Sequence, residues 1–297
     1  MNTQSNSTPA SWVQSGGFAN AVAGATRPLY WSIRRELWEN RSIYIAPVAA
    51  AVLFLFGFAI SILRMRLHKE VLWSIDQFEL APALIMGAAL IVSIFYCLDA
   101  LYGERRDRSI LFWKSLPVSD VTAVISKLTI PILVLPLLSF VITVATQLLT
   151  LVLSSALFAG SGVNLRELWT HVSLFRVPGI WLYHLVTVHG LWYAPLYAWL
   201  LLVSAWAPRT PFLWAFLPPF VIYGVEKIAF NTSYFLDMLR YRLEGPGSGM
   251  SAEHQPDLAS KLIPHHFLST PGLWTGLAFA AVFLYATVYL RRSRGPI

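Results

Sequence analysis

This chain predicts an all-α integral membrane protein with six transmembrane helices, a cytoplasmic interfacial helix before the first of them and a short cytoplasmic helix between the second and third. Three observations carry that prediction. Of its 297 residues 12% are charged and 56% hydrophobic, against about 25% charged and 45–50% apolar in soluble domains. Its apolar stretches are long enough to cross a hydrocarbon core of ~30 Å, which takes about 20 helical residues. Lys and Arg gather at the ends of those stretches, so the formal charge of +7 fits the positive-inside rule. No basic run is interleaved with stacking aromatics in a soluble segment, and nucleic acid is not expected as a partner. The single cysteine, Cys97, lies inside an apolar run, which excludes an intramolecular disulfide and a cysteine-based metal site.

Residues 1–26 are rich in Ser, Asn, Thr, Ala and Gly and predict a flexible tail; residues 27–297 predict a single transmembrane domain. From Arg27 to Arg41 the residues Leu29, Ile33 and Leu37 recur every four positions and make one apolar stripe. Arg34, Arg35, Glu36 and Glu39 fall elsewhere on the wheel, and Trp31 and Trp38 on another face. An interfacial helix lying along the lipid bilayer is expected, since Trp and Arg favour the headgroup layer; an ordinary cytosolic helix is the alternative. Ser42 to Leu63 is an uncharged stretch of one membrane thickness. A second span is expected from about Ala81 to Leu101. After a charged loop, Val121 to Phe158 is too long for one upright helix, but no polar turn divides it. Pro131 and Pro136 lie too near its start to split it, so one long, tilted, proline-bent helix is expected. A mixed loop at 164–178 precedes a fourth span, Gly179 to Trp206. Ala207–Pro211 turns the chain into a fifth, Phe212 to Ile228. The segment 233–270 is amphipathic, broken at Gly245–Gly249, and predicts short outer helices over Tyr234–Leu243 and Ala252–Phe267. A sixth span covers Gly272 to Leu290. With both termini cytoplasmic, thirteen of the 22 Lys and Arg residues lie inside, at the higher density.

The loop Tyr102–Asp120 is the most charged part of the chain, with Glu104, Arg105, Arg106, Asp107 and Arg108 set against the apolar string Ile110–Trp113. Asp107 or Ser109 is positioned to cap a short helix, and Pro117 ends it. At 100° per residue Phe112, Trp113 and Leu116 fall on one side of that helix. An exposed face of this kind marks a partner or the membrane surface.

Several chemistries find no support. His-Glu-x-x-His, Gly-x-Ser-x-Gly and the nucleotide loop Gly-x-x-x-x-Gly-Lys-Ser/Thr are missing. ATP-driven work would therefore need another subunit. His184 and His189, five apart in the fourth span, project about 140° from each other on a helix and predict interhelical hydrogen bonds more than a shared metal. Asp99 and Glu226 are ionisable groups close to hydrocarbon. They either line a pathway or reach to the interface.

The pattern Glu104-Arg-Arg-Asp-Arg-Ser109, an apolar stub, Leu116-Pro-Val-Ser119 and Lys127 resembles the cytoplasmic loop of type-2 ABC exporter permeases. The resemblance implies that the stub is a coupling helix docking on a separate ATP-binding subunit, with Glu104, Arg105, Arg106, Asp107, Arg108, Phe112, Trp113 and Leu116 at the contact. It further implies ATP and Mg on that partner with no cofactor in this chain, pairing with a second copy or a paralogue, and a multi-pass place in the cell inner membrane. The longer and more charged 164–178 loop departs from that family's simplest pattern. The alternative is a membrane-embedded enzyme or assembly factor using His184, His189, Asp99 or Glu226.

Overall fold

The computed structural model describes residues 28–68, 76–115, 118–158, 179, 182–183, 185–244 and 267–295. Among them every regular element is helical. α1 covers residues 28–39, α2 Ser42–His68, α3 Asp76–Ala100, α4 Tyr102–Arg106, α5 Ser109–Ser115, α6 Asp120–Thr129 and α7 Leu135–Phe158. α8 is Ala194–Trp206, α9 Pro211–Phe230, α10 Tyr234–Glu244 and α11 Pro271–Ser293. Two π-helical segments interrupt the regular coil, Ile130–Val134 between α6 and α7 and Leu185–Trp192 ahead of α8.

Five helical stretches are long and apolar enough to cross a membrane: Ser42–Arg64, Leu80–Arg106, Asp120–Ala156, Pro211–Phe230 and Pro271–Ser293. α8, with 13 residues, is apolar but shorter. The long third stretch is one continuous helix, as its sequence predicts. Its irregularity is a π turn at Pro131, whose missing N–H removes one rung of the ordinary ladder. The second π segment packs on the first, and Gly190 brings its backbone close to the Ile132 carbonyl; a Cβ there would lie 3.4 Å from that oxygen.

The core is shared by α3, α8, the two π segments and α11, around Tyr96, Cys97, Trp192, Tyr197 and Leu201. α2 closes one side against α3 and α7. α9 stays peripheral, with only 6% of its most apolar window buried. α1 ends at a break over Asn40 and Arg41, where the Asn40 amide side chain donates to the Glu36 carbonyl at 3.2 Å. Ile33 and Leu37 of its apolar stripe pack against the core. The tail, the 164–178 loop, the 252–266 piece and His184 lie outside the described residues.

Candidate functional site

The charged loop is organised around Glu104, and its placement corrects the sequence expectation. Glu104 and Arg105, expected on an exposed docking rim, are 8% and 7% exposed. Two buried ionic groups require partners, and the chain supplies them from four other helices.

Glu36 on α1 accepts from Arg35 Nη2 at 2.6 Å and Lys127 Nζ at 2.8 Å through Oε1, and from Tyr96 Oη at 2.8 Å through Oε2. Glu104 on α4 takes Lys127 Nζ at 3.1 Å and Arg35 Nη2 at 3.2 Å on Oε1, and Arg291 Nη2 at 3.3 Å on Oε2. Arg291, near the end of α11, also donates to Asp120 Oδ1 at 2.6 Å, in the first turn of α6. Glu39 and Arg292 flank the cluster at 3.6 and 3.7 Å from Arg35 and Asp120. Four carboxylates thus meet four cations, and the charges balance. Burial alone would raise the Glu36 carboxyl; the Lys127 ammonium and the Arg35 guanidinium outweigh it and hold that carboxyl below the usual range. At Glu39 burial prevails and pushes the carboxyl up.

Arg105 does a different job. Its Nη1 donates to the Ala205 carbonyl at 2.7 Å and the Ala207 carbonyl at 3.3 Å, satisfying oxygens that the end of α8 leaves without helical partners. In return the Ser204 hydroxyl of α8 accepts from the Leu101 and Tyr102 amides at 3.0 and 2.9 Å, which caps α4. Arg294 adds a bond to the Trp206 carbonyl at 2.8 Å.

α5 is fastened to this base on one side and bare on the other. Ile110 is buried, and the Arg35 guanidinium carbon lies 3.8 Å from the centre of the Trp113 ring. Lys114 Nζ donates to the Arg294 carbonyl at 3.2 Å. Leu111 and Phe112 are each 59% exposed. The expected apolar face is thereby rotated: Trp113 turns inward, Leu111 joins Phe112 outside, and Leu116 lies outside the described residues. Arg106, Asp107 and Arg108 are exposed. Arg108 carries the chain from α4 into α5 at φ 59°. The Ser109 hydroxyl donates to the Glu104 carbonyl at 3.4 Å instead of capping α5.

Of the membrane-embedded candidates, Glu226 and Asp99 have described side chains, and they lie on different helices, α9 and α3. Glu226, near the end of α9, accepts from the Tyr234 and Phe235 amides at 2.6 and 2.9 Å and from Thr232 Oγ1 at 2.8 Å, so it caps α10. Asp99 is exposed in the last turn of α3, and a Cβ on Gly103 would lie 3.3 Å from its Oδ2. His189 falls in the second π segment. Among the described residues no three His, Cys, Asp or Glu side chains gather as a metal-ligand set.

At the far ends of α8 and α11 a second arginine closes the bundle. Arg242 of α10 donates to the Gly272 carbonyl at 2.7 Å and the Trp192 carbonyl at 3.3 Å, with its guanidinium carbon 4.4 Å from the centre of the Trp192 ring. Trp192 Nε1 and Tyr193 Oη donate back to the Arg242 and Leu243 carbonyls at 2.9 and 2.8 Å. Gly276 leaves the room, since a Cβ there would collide with Nη2 of Arg242. Sequence reading missed both Arg242 and Glu36. Gly272 and Gly276, spaced one turn apart on the last span, were the available signal for the first.

No family model, curated protein or solved structure matches the chain.

Proposed function

We propose that the chain is the membrane-spanning permease subunit of an ATP-driven exporter of the type-2 ABC kind, with α5 as the docking point for a separate ATP-binding subunit. One observation supports this above the others. A seven-residue helix presents Leu111 and Phe112 to solvent while Ile110, Trp113 and Lys114 tie it to an ion cluster that joins five helices. A side chain pushed at that tip pushes on Arg35, and through Glu36, Glu104 and Arg291 on α1, α4 and α11.

The rest of the architecture fits a lever. α8 and α11 pack closely; α11 runs from Arg291 in the ion cluster to Gly272 in the Arg242 clamp, and α8 with the π segment ahead of it runs from the Arg105 contact to Trp192 in the clamp. From Gly272 to Arg291 the helix rises about 29 Å at ~1.5 Å per residue, close to the thickness of the hydrocarbon core. Movement at the α5 end would then reach α10 at the opposite membrane face. Leu185–Trp192 and α8, taken as one broken crossing, bring the spans to six and set both termini on the α5 side, in the cytosol of a cell whose inner membrane holds the protein. Peripheral α9 leaves a face for a second copy or a close relative. ATP and Mg belong to the partner.

Truncating a central apolar anchor at such a contact costs about 2 kcal/mol, roughly thirtyfold in affinity. Phe112→Ala and Leu111→Ala are therefore expected to lose a co-purifying ATP-binding protein while the permease inserts at its normal level. Recovery of no ATP-binding protein with the native chain after gentle solubilisation would sink the proposal.

A further inference from the structure

Two neighbouring arginines of α1 have different surroundings. Arg35 is engaged by Glu36, Glu39 and Glu104. Arg34 has no carboxylate within ion-pair distance among the described residues; its guanidinium carbon lies instead 5.2 Å from the ring centre of Trp31 and 4.8 Å from that of Trp38. Residues spaced three and four apart share one helix face, and this face is open: Trp31 is 59% and Trp38 69% exposed, with Tyr30 packed edge-on against Trp31. Arg41, also exposed, is a second cation free of ion pairs among the described residues.

The position of this face is set by the chain itself. α2, apolar and long enough to cross the bilayer, begins at Ser42, and its first turns expose Tyr44, Ile45 and Val48. Trp38 therefore sits within about a turn of the hydrocarbon boundary, at the depth where indoles settle among headgroups. A guanidinium fixed between two indoles presents its planar fork of N–H donors at the depth of lipid phosphates, the anion that fork fits in two-point contact.

We propose that Trp31, Arg34 and Trp38 form a binding site for the phosphate of an anionic phospholipid. The guanidinium takes the phosphate oxygens, and the indoles lie against the glycerol and the upper acyl carbons. A zwitterionic headgroup brings its own ammonium to that phosphate and competes with Arg34. An anionic headgroup leaves the phosphate to Arg34 and gains from Arg41 as well. Continuity with α2 favours a lipid over a protein partner, because headgroups surround this face wherever the chain is embedded. The site depends on the membrane-crossing helices alone and stands apart from the ATP-driven function.

The test uses the full chain, stripped of lipid in detergent and titrated separately with phosphatidylglycerol and phosphatidylcholine, with bound lipid counted by native mass spectrometry. Near an anionic surface each basic side chain contributes roughly fivefold in affinity. Arg34→Gln is expected to weaken phosphatidylglycerol binding about fivefold and leave phosphatidylcholine unchanged. Arg34→Lys, which keeps the charge and loses the planar stack, falls between the two, and Trp38→Ala weakens both lipids. Arg34 has no ion pair to lose, and an unchanged unfolding temperature for Arg34→Gln verifies that the variant is folded. Equal phosphatidylglycerol binding by Arg34→Gln and the parent chain would overturn the proposal. So would loss of a co-purifying protein with lipid binding intact, which would make this face a protein surface.

Discussion

Arginines close both ends of the α8–α11 pair, and they do so by different chemistry. At the α5 end Arg35 and Arg291 sit among carboxylates, and Arg105 holds the carbonyls that end α8. At the α10 end Arg242 has only backbone carbonyls and the face of Trp192. Burial lowers the pKa of its guanidinium, and the group that opposes it is the Tyr241 hydroxyl and not a carboxylate. A balanced cluster binds its members jointly, because Glu36 and Glu104 share Arg35 and Lys127 and removing one member leaves the buried charges unbalanced. A guanidinium held by carbonyls can withdraw and be rehydrated without stranding another ion. The α5 end is thus held together as one unit, whereas the α10 end can release its arginine by itself.

That contrast predicts an ordering of effects. Lys127→Met should be the most damaging change, since it leaves the Glu36 and Glu104 carboxylates facing each other with their shared ammonium gone. Breaking a buried pair in this way costs about 3–5 kcal/mol, so a large drop in unfolding temperature, or no folded protein in detergent, is expected. Arg242→Ala should cost less, about 1.5–3 kcal/mol for its charge-assisted hydrogen bonds. Gly276→Ala should reproduce part of that loss by expelling the guanidinium, and should add almost nothing on top of Arg242→Ala. Independent, additive losses in that double-mutant cycle would contradict the clamp.

The acid limb of stability separates the two ends again. Glu36 titrates below its ordinary carboxylate value of 4.5 when folded, so the stability it contributes is complete above that value and fades as pH falls through the lower, folded pKa. Unfolding temperature measured downward from pH 5 should therefore fall less steeply in Glu36→Gln than in the parent chain, whereas Arg242→Ala should leave the slope unchanged. The smallest effect is local. Arg108 occupies a left-handed conformation that glycine adopts without steric cost. Arg108→Gly should raise stability by about 0.5–1 kcal/mol in a denaturation series, and a loss would mean that the Arg108 side chain carries more than its exposure suggests.

Much of the bundle was legible in the sequence because hydropathy reads length, and the helices from Ser42, Leu80, Asp120, Pro211 and Pro271 follow the apolar runs closely. The long third helix was legible for the same reason, and Pro131 marked its irregular turn. The fourth run was less so: Tyr193 interrupts it between a π segment and α8, and periodicity does not announce a change from one helical winding to another. The ion cluster was half visible. A single lysine in the stretch 121–158 demands counter-charges, yet Glu36 and Glu104 lie on other elements, the one expected on an interfacial helix and the other at a partner contact. The clamp was the least visible, since backbone carbonyls leave no complementary side chain to find. The rotation of α5 came from a tertiary contact, the stacking of Trp113 under Arg35, that a helical wheel drawn on seven residues does not contain.

Photo-crosslinking in living cells tests the central claim most directly, with a photoreactive amino acid placed in turn at Phe112 and at Trp113 of the full chain. Phe112 should capture an ATP-binding protein in a single adduct that disappears when that protein is deleted, and Trp113, turned toward Arg35, should capture only segments of its own chain. Adducts of Phe112 confined to lipid, with no ATP-binding protein among them, would contradict the account.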